Sequence, residues 1–188
     1  MNVHSRPRIL GPSLLARKIL CSAYVSAPFS EKERFKFQAL HAMTVVKVIA
    51  RHLKMGYILK GVERGGNGYR VDLLFSDPSG KTRLDEVKSS RKVREVHKIQ
   101  AALYAHSDAD EIAVSNGQED QILTPKFIRE MQERAVQTIQ LLSNDPTAAA
   151  STYTPHEDAC YTCATTPCPF LSHRPRLLEP RSQLIWKV

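Results

Sequence analysis

The spacing of apolar residues predicts that helices dominate the first part of the chain. A short helix is expected from the Gly11-Pro12-Ser13 turn to about Leu20. A longer helix starts at Ser30, which has the capping-box spacing with Glu33, and stops at Gly56. Its apolar residues recur with the helical period, so we expect them to form the face that packs on the core. This stripe consists of Phe35, Ala39, Ala42, Met43, Val46, Ile49, Ala50 and Leu53.

Strands are expected after the long helix, where the apolar pattern changes and turn residues appear. Asn67-Gly68 and the run from Asp77 to Gly80 are typical of turns between antiparallel strands. The predicted strands cover residues 57–63, 69–76, 81–88 and 111–115. Further helices are expected over residues 92–105 and from Thr124-Pro125 onwards. This order predicts an α/β fold with a mixed central sheet flanked by helices.

The chain changes character after Asn144. Six of its eleven prolines lie between Pro146 and Pro180, and the apolar periodicity stops there. A segment of this length without a helix or strand pattern needs another stabilising link if it is to be ordered. Three of the four cysteines lie in it, which makes them the candidates for that link.

The net charge of the chain indicates a class of binding partner. The chain carries 27 lysine and arginine residues against 19 acids, a formal net charge of +8 at pH 7. Such a surplus favours a polyanion such as nucleic acid, with simple solubility as the alternative. The bases concentrate in residues 1–20, 81–98 and 174–187. Without a signal-peptide pattern or an apolar run of roughly 20 residues, we expect a cytoplasmic protein with no membrane partner.

Two carboxylates and a lysine fall on neighbouring predicted strands. Glu86 and Lys88 are two residues apart and share one strand face, while Asp85 points to the other. Asp72 interrupts an apolar run, where a carboxylate is costly to bury unless it is paired or binds metal. Counting back from the turn at 77–80 places Asp72 opposite residue 85, and a slip of one residue would bring it beside Glu86. These oxygen ligands suit Mg²⁺ or Mn²⁺, although an edge-strand salt bridge would give the same pattern.

Three further polar residues accompany this group. Gln100 and Tyr104 are four residues apart, so they share a face of the helix over 92–105, and Gln100 lies on its apolar side. A glutamine there needs a partner, which is either a substrate or nearby backbone. His41 lies within the long helix, and taken alone it is read as a partly buried structural residue.

The cysteines form a compact triplet and one distant member. Cys160, Cys163 and Cys168 lie within nine residues, whereas Cys21 follows the first helix. Four thiolates bind either Zn²⁺ or an iron–sulfur cluster. Zinc sites usually consist of two close pairs, so this arrangement is less usual for zinc. Unrelated core cysteines are the remaining alternative, which is favoured for Cys21 taken alone.

In order and spacing, these motifs resemble the RecB-like branch of the PD-(D/E)xK nucleases over residues 35–115. The resemblance implies a restriction-endonuclease-like core with a metal-binding active site. The implied metal ligands are His41, Asp72, Glu86 and the backbone of Val87. The implied catalytic residues are Asp72, Glu86 and Lys88, together with the accessory residues Gln100 and Tyr104.

With the cysteines included, almost the whole chain resembles the CRISPR-associated Cas-four family. That resemblance implies that Cys21, Cys160, Cys163 and Cys168 hold an iron–sulfur cluster, with 4Fe–4S favoured over 2Fe–2S. It divides the chain into an N-terminal helix with one cluster cysteine (1–30), a nuclease core (31–143) and a cysteine-stapled segment packed on the N-terminal part (144–188).

The function implied by this resemblance is metal-dependent exonuclease action on single-stranded or frayed DNA ends during CRISPR spacer acquisition. The implied partners are DNA and the CRISPR integrase complex. A non-catalytic DNA-binding or scaffold subunit, and a repair or recombination nuclease outside CRISPR, are the alternatives. Sequence leaves cleavage polarity and oligomeric state open.

Overall fold

The computed structural model describes residues 11–66, 69–104, 109–144, 156–160, 163 and 164. The helices in these residues are α1 (Pro12–Leu20), α2 (Glu31–Lys54), α3 (Glu95–Ala102), α4 (Pro125–Asn144) and α5 (Glu157–Cys160). The strands are β1 (Ile58–Gly66), β2 (Tyr69–Ser76), β3 (Thr82–Val87), β4 (Glu111–Ser115) and β5 (Asp120–Ile122).

Within the described residues, five strands form one mixed sheet in the order β1-β2-β3-β4-β5. The pairs β1–β2, β2–β3 and β4–β5 are antiparallel, whereas β3 and β4 are parallel. A parallel pair needs a crossover connection, which α3 supplies. The predicted turn between β2 and β3 is confirmed: Asp77 Oδ1 accepts the Ser79 N–H at 2.8 Å, and Gly80 has a φ of 89° that glycine adopts without strain.

Helices cover both faces of the sheet. On one face, Val48 of α2 packs with Leu73, Phe75 and Val87. On the other, Leu84 belongs to a larger apolar cluster that also draws on α1, α3 and α4. Leu84 and Val87 are three residues apart on β3, so they point to opposite faces, and the central strand is buried on both. The predicted α/β fold with a helix-flanked mixed sheet is therefore confirmed.

Most of the apolar stripe of α2 does not face the core, although Ile49 packs against the Val48 cluster, and this corrects the expectation from periodicity. Phe35, Met43 and Val46 are 72%, 59% and 65% exposed. The face that meets the sheet instead carries Val48 and His52, both fully buried. A helix packs through the side that its neighbours can cover, and hydrophobic spacing alone does not specify which side that is.

Several local signals are confirmed, and some short elements are new. The capping box at the start of α2 is present, with Ser30 and Glu33 each bonding the other's backbone N–H. The helix predicted over 92–105 begins later, at Glu95. The strand β5 and the short helix α5 were not predicted, because neither has a sustained pattern. The Asn67-Gly68 turn lies outside the described residues.

Every helix in the described part of the chain is too short or too polar to serve as a transmembrane span.

Candidate active site

Asp72 and Glu86 are neighbours on adjacent strands. The β2–β3 register pairs Leu73 with Asp85, so one further step sets Asp72 opposite Glu86. This is one residue away from the alignment counted from the turn, which set Asp72 opposite residue 85. Asp72 Oδ2 also accepts the Val87 backbone N–H at 2.7 Å, which holds the carboxylate beside the end of β3.

His41 reaches the same carboxylate from α2. Its Nε2 lies 3.4 Å from Asp72 Oδ1, and this contact raises the pKa of His41 above its ordinary value, against the opposing effect of burial. His41 lies seven residues before Val48, two helical turns along the face that packs on the sheet. That face, rather than the exposed apolar stripe, therefore brings the predicted histidine to the site.

Gln100 links Glu86 to the lysine and the tyrosine. Its Nε2 donates to Glu86 Oε1 at 2.6 Å and to the Tyr104 hydroxyl at 2.9 Å. Its Oε1 accepts from Lys88 Nζ at 3.1 Å, and Lys88 also forms an ion pair with Glu86. Gln100 is buried, so the expected inward-facing glutamine is confirmed, and its partners are side chains rather than backbone.

Glu86 is the most deeply buried member of this group, with 2% of its surface exposed. Burial raises its pKa to about 7, and Asp72 adds to this, whereas the ammonium of Lys88 acts in the opposite direction. Burial also raises the pKa of the Tyr104 hydroxyl, so tyrosine remains a neutral hydrogen-bonding group near neutral pH. Glu86 is therefore a desolvated carboxylate that the Gln100 amide and the Lys88 ammonium hold by direct contacts, with Asp72 as a second carboxylate nearby.

This donor set fits a hard divalent cation. Glu86 Oε2 is buried and has no hydrogen-bond partner among the described residues, which is costly for a carboxylate oxygen without a cation nearby. Asp72 stands opposite Glu86 on the neighbouring strand with His41 against it, and Mg²⁺ and Mn²⁺ accept carboxylate and imidazole ligands. The residues that would hold the ion are those expected from the sequence, namely His41, Asp72, Glu86 and Val87.

A second polar cluster, which the sequence reading missed, lies on the α2 face of the sheet. Among the described residues, the ligand atoms of His52, Asp85 and Asp120 all lie within 4.8 Å of one another. His52 Nε2 is 3.2 Å from Asp120 Oδ2 and 3.9 Å from Asp85 Oδ2. The available signal was the alternation Arg83-Leu84-Asp85-Glu86, which places charges on both faces of a buried strand.

Two guanidinium groups show that this second cluster is an ion-pair network. Arg83 Nη2 lies 3.0 Å from both Asp85 Oδ1 and Asp120 Oδ2, and Arg51 also pairs with Asp120. The Ser115 hydroxyl contacts Asp85 Oδ1 at 2.7 Å and Asp120 Oδ1 at 2.6 Å. Because Arg51 and Arg83 already pair with these carboxylates, and Arg83 with Glu111 as well, a divalent cation there would have to compete with two guanidinium groups. We therefore assign this network to holding α2, β3 and β5 together.

The described cysteines gather beside α1. Cys163 forms an antiparallel bridge with Ser26, and the Ala164 N–H donates to the Val25 carbonyl at 2.8 Å. Cys21 is buried in the core cluster that Cys163 packs against. Burial lowers the pKa of Lys18, and Cys21 and Cys163 act on that pKa in the opposite direction. Cys160 lies at the end of α5, which also packs on α1. Cys168 lies outside the described residues.

Comparisons with known proteins add little to this geometry. No protein-family model matches the chain, and neither does any curated protein. Among solved structures, the SPO1766 protein of unknown function from Silicibacter pomeroyi is similar at a TM-score of 0.29 and 17% identity, over 55% of this chain and 92% of that one. A likeness this small supports no assignment of fold family or function.

Proposed function

We propose that this protein is a metal-dependent DNA nuclease with a PD-(D/E)xK core of the RecB-like type. One observation carries the proposal: two contact groups lie side by side, because Asp72 stands opposite Glu86 on the neighbouring strand and accepts the Val87 N–H. The first group is the His41–Asp72 pair, and the second joins Glu86, Lys88, Gln100 and Tyr104. These residues lie on α2, β2, β3 and at α3, up to 63 positions apart in the chain. A surface salt bridge would not require a buried carboxylate with an unsatisfied oxygen.

Each side chain has a distinct role in the proposed reaction. A bound Mg²⁺ or Mn²⁺ would activate water and neutralise charge on the scissile phosphodiester. The Lys88 ammonium would orient the attacking water or stabilise charge on the phosphate oxygens. Gln100 keeps Glu86 and Lys88 at fixed positions through bonds to both. His41 and the Val87 N–H fix the Asp72 carboxylate from two sides.

The charge of the chain supports DNA as the substrate. The net charge of +8 favours a polyanion, and Lys88 lies in the basic stretch 81–98. We propose that the enzyme trims single-stranded or frayed DNA ends, and that it does so in CRISPR spacer acquisition with the integrase complex as partner. The family resemblance is the basis for this biological setting.

We also propose that Cys21, Cys160, Cys163 and Cys168 hold an iron–sulfur cluster of the 4Fe–4S type. Two contacts support the proposal. Cys163 packs against the apolar core cluster that contains Cys21, and α5 packs against α1. Its role would be to fix the cysteine-rich segment on the N-terminal helix, because the described part of that segment forms one short helix and one bridge.

A nuclease assay on end-labelled single- and double-stranded DNA with Mn²⁺ or Mg²⁺ tests the enzymatic proposal. Lys88→Ala and Glu86→Gln should lower kcat by roughly a hundredfold or more, as losses of transition-state and metal contacts do. Lys92→Ala is the matched control, since Lys92 is an exposed lysine of the same basic stretch. DNA binding by Lys88→Ala should persist. Equal cleavage by parent and Lys88→Ala would contradict the assignment and leave a non-catalytic DNA-binding role.

A further inference from the structure

Asp158 connects the cysteine-containing segment to the helix that lines the candidate active site. Its Oδ2 accepts a hydrogen bond from the backbone N–H of Glu95 at 2.8 Å. Glu95 is the first residue of α3, and Asp158 lies in α5, two residues before Cys160. The Asp158 side chain is 12% exposed, so water competes little for this bond.

The start of α3 needs such a partner. The first N–H groups of a helix have no acceptor within the helix, and a carboxylate there also matches the positive end of the helix dipole. With eight residues, α3 is too short to be stable without tertiary contacts. A largely buried carboxylate from a distant segment is therefore part of what fixes its position.

The other end of α3 belongs to the candidate active site. Gln100 lies in the last turn of the helix and bonds Glu86, Lys88 and Tyr104. The Tyr104 N–H donates to the Ala101 carbonyl at 3.1 Å, so its hydroxyl is positioned by the same helix end. A shift or fraying of α3 would therefore move the groups that hold Glu86 and Lys88 together.

The position of Asp158 is in turn fixed by its own segment. Ala159, the next residue, is 1% exposed and packs in the larger apolar cluster. The Cys163 N–H donates to the Cys160 carbonyl at 3.2 Å, and Cys163 bridges to Ser26. The segment therefore packs on α1, and its Asp158 carboxylate accepts the hydrogen bond from the start of α3.

We infer that Asp158 is a positioning residue, through which the cysteine segment holds α3 and thereby sets the geometry of Glu86 and Lys88. The inference rests on the proposed nuclease function for its consequence in catalysis. The hydrogen bond to Glu95 stands on the structure alone, and its effect on α3 can be measured without any cleavage assay. The cysteine segment then positions the reaction centre through α3, in addition to packing on α1.

The bond can be removed from either side. Asp158→Ala deletes the acceptor, whereas Asp158→Asn keeps an oxygen that can accept the same N–H. Glu95→Pro deletes the donor and, because the proline ring takes the place of the N–H, also turns the Asp158 carboxylate away, while proline itself is accepted at the first helical position. Arg94 already has the extended backbone, with φ of −104° and ψ of 163°, that a residue before proline requires. Glu95→Ala controls for the lost side chain, and Glu157→Ala removes an exposed acid from the same short helix.

Two measurements on the full-length, metal-loaded protein test the inference. Hydrogen exchange of the α3 amides should be roughly tenfold faster in Asp158→Ala and Glu95→Pro, as loss of a helix-capping contact allows. kcat for single-stranded DNA with Mn²⁺ should fall roughly tenfold while KM changes less than about twofold, because orientation rather than binding is lost. Asp158→Asn, Glu95→Ala and Glu157→Ala should stay within about twofold of the parent in both measurements.

The outcomes distinguish the positioning role of Asp158 from the proposed nuclease function. Parent-like α3 exchange in both Asp158→Ala and Glu95→Pro overturns the inference, as does a fall in kcat that occurs only when cysteine-bound metal is lost. Hydrogen exchange of the β2 and β3 amides reports whether each variant is folded. If Asp158→Ala is not folded, the α3 exchange of Glu95→Pro decides whether the inference holds. If the parent protein itself fails to cleave DNA, the proposed function is wrong, and α3 exchange still decides whether Asp158 positions the helix.

Discussion

Glu86 combines burial with an oxygen that has no hydrogen-bond partner among the described residues. Such a carboxylate destabilises a fold unless something else compensates, and a cation bound with Asp72 and His41 would do so. The sequence could indicate this residue because Glu86-Val87-Lys88 has strand spacing. It could not give the contact to Gln100, which depends on how α3 is placed over the strand.

At this scale we predict that Mn²⁺ stabilises the parent protein through Asp72. A ligand bound only by the folded state at 100 times its Kd adds about 2.7 kcal/mol, so Tm should rise by several degrees. In Asp72→Asn this rise should disappear, while Glu130→Gln, an exposed acid on α4, should keep it. Differential scanning calorimetry with and without Mn²⁺ measures this. A full Mn²⁺-dependent rise in Asp72→Asn would show that the ion binds elsewhere.

Helix α2 shows the limit of periodicity as a guide to burial. Its capping box and its end near Gly56 follow from local residues and are confirmed. Its apolar stripe predicted the wrong face, because the side that packs on the sheet is shared by Val48, His52 and His41. Local pattern determines that the helix forms, and the sheet determines how the helix is rotated against it.

Two valines on α2 provide a matched test of that rotation. Val48 is fully buried and Val46 is 65% exposed. Val48→Ala should lower the free energy of unfolding by about 2 kcal/mol, because it leaves a cavity against Leu73 and Phe75. Val46→Ala should change it by less than about 0.5 kcal/mol. Urea denaturation of both variants gives the comparison. Equal losses would mean that the apolar stripe is covered after all.

At the level of the whole molecule, one ion-pair network ties α2 to the far edge of the sheet. Burial by itself would raise the pKa of Asp120, but hydrogen bonds from His52 and Ser115 and the charges of Arg83 and Arg51 lower it well below its usual range. A depressed pKa means that the unfolded state binds the proton more readily. The network therefore stabilises the fold above the unfolded pKa of about 4 and loses that contribution as pH falls further.

Asp120→Asn tests this contribution. At pH 7 it should lower the free energy of unfolding by about 3 kcal/mol, because Arg83 and Arg51 then keep their charge without this partner. The difference between parent and variant should shrink as pH falls below about 4, where the parent's Asp120 loses its advantage. Chemical denaturation between neutral and acid pH measures both effects. A difference that stays constant down to strongly acid pH would contradict the assigned electrostatic role.

The cysteine segment also connects distant parts of the chain, because α5 packs on α1 and α3. We predict that the purified protein is brown and contains acid-labile sulfide, and that Cys21→Ala bleaches it although Cys21 is far from the triplet in sequence. The same change should lower Tm and make α5 sensitive to protease, since the cluster would fix α5 on α1. Metal and sulfide analysis of protein purified without air decides the matter. Zinc without sulfide would overturn the cluster and favour a structural zinc site.

The sequence by itself determined most of the elements and indicated the residues of the candidate site. Turn and capping residues act on their neighbours, so Ser30, Asp77 and Gly80 had the predicted effects. Strand spacing put Glu86 and Lys88 on one face, and their contact follows directly from it.

Only the tertiary structure decided which α2 face is buried, which charges meet in the Asp120 network and which carboxylate holds the start of α3. The physical reason is that most of these contacts join residues more than twenty positions apart. Their energies depend on the relative placement of whole elements, and this placement follows from what the sheet and the opposing helices can bury together, which no local pattern records.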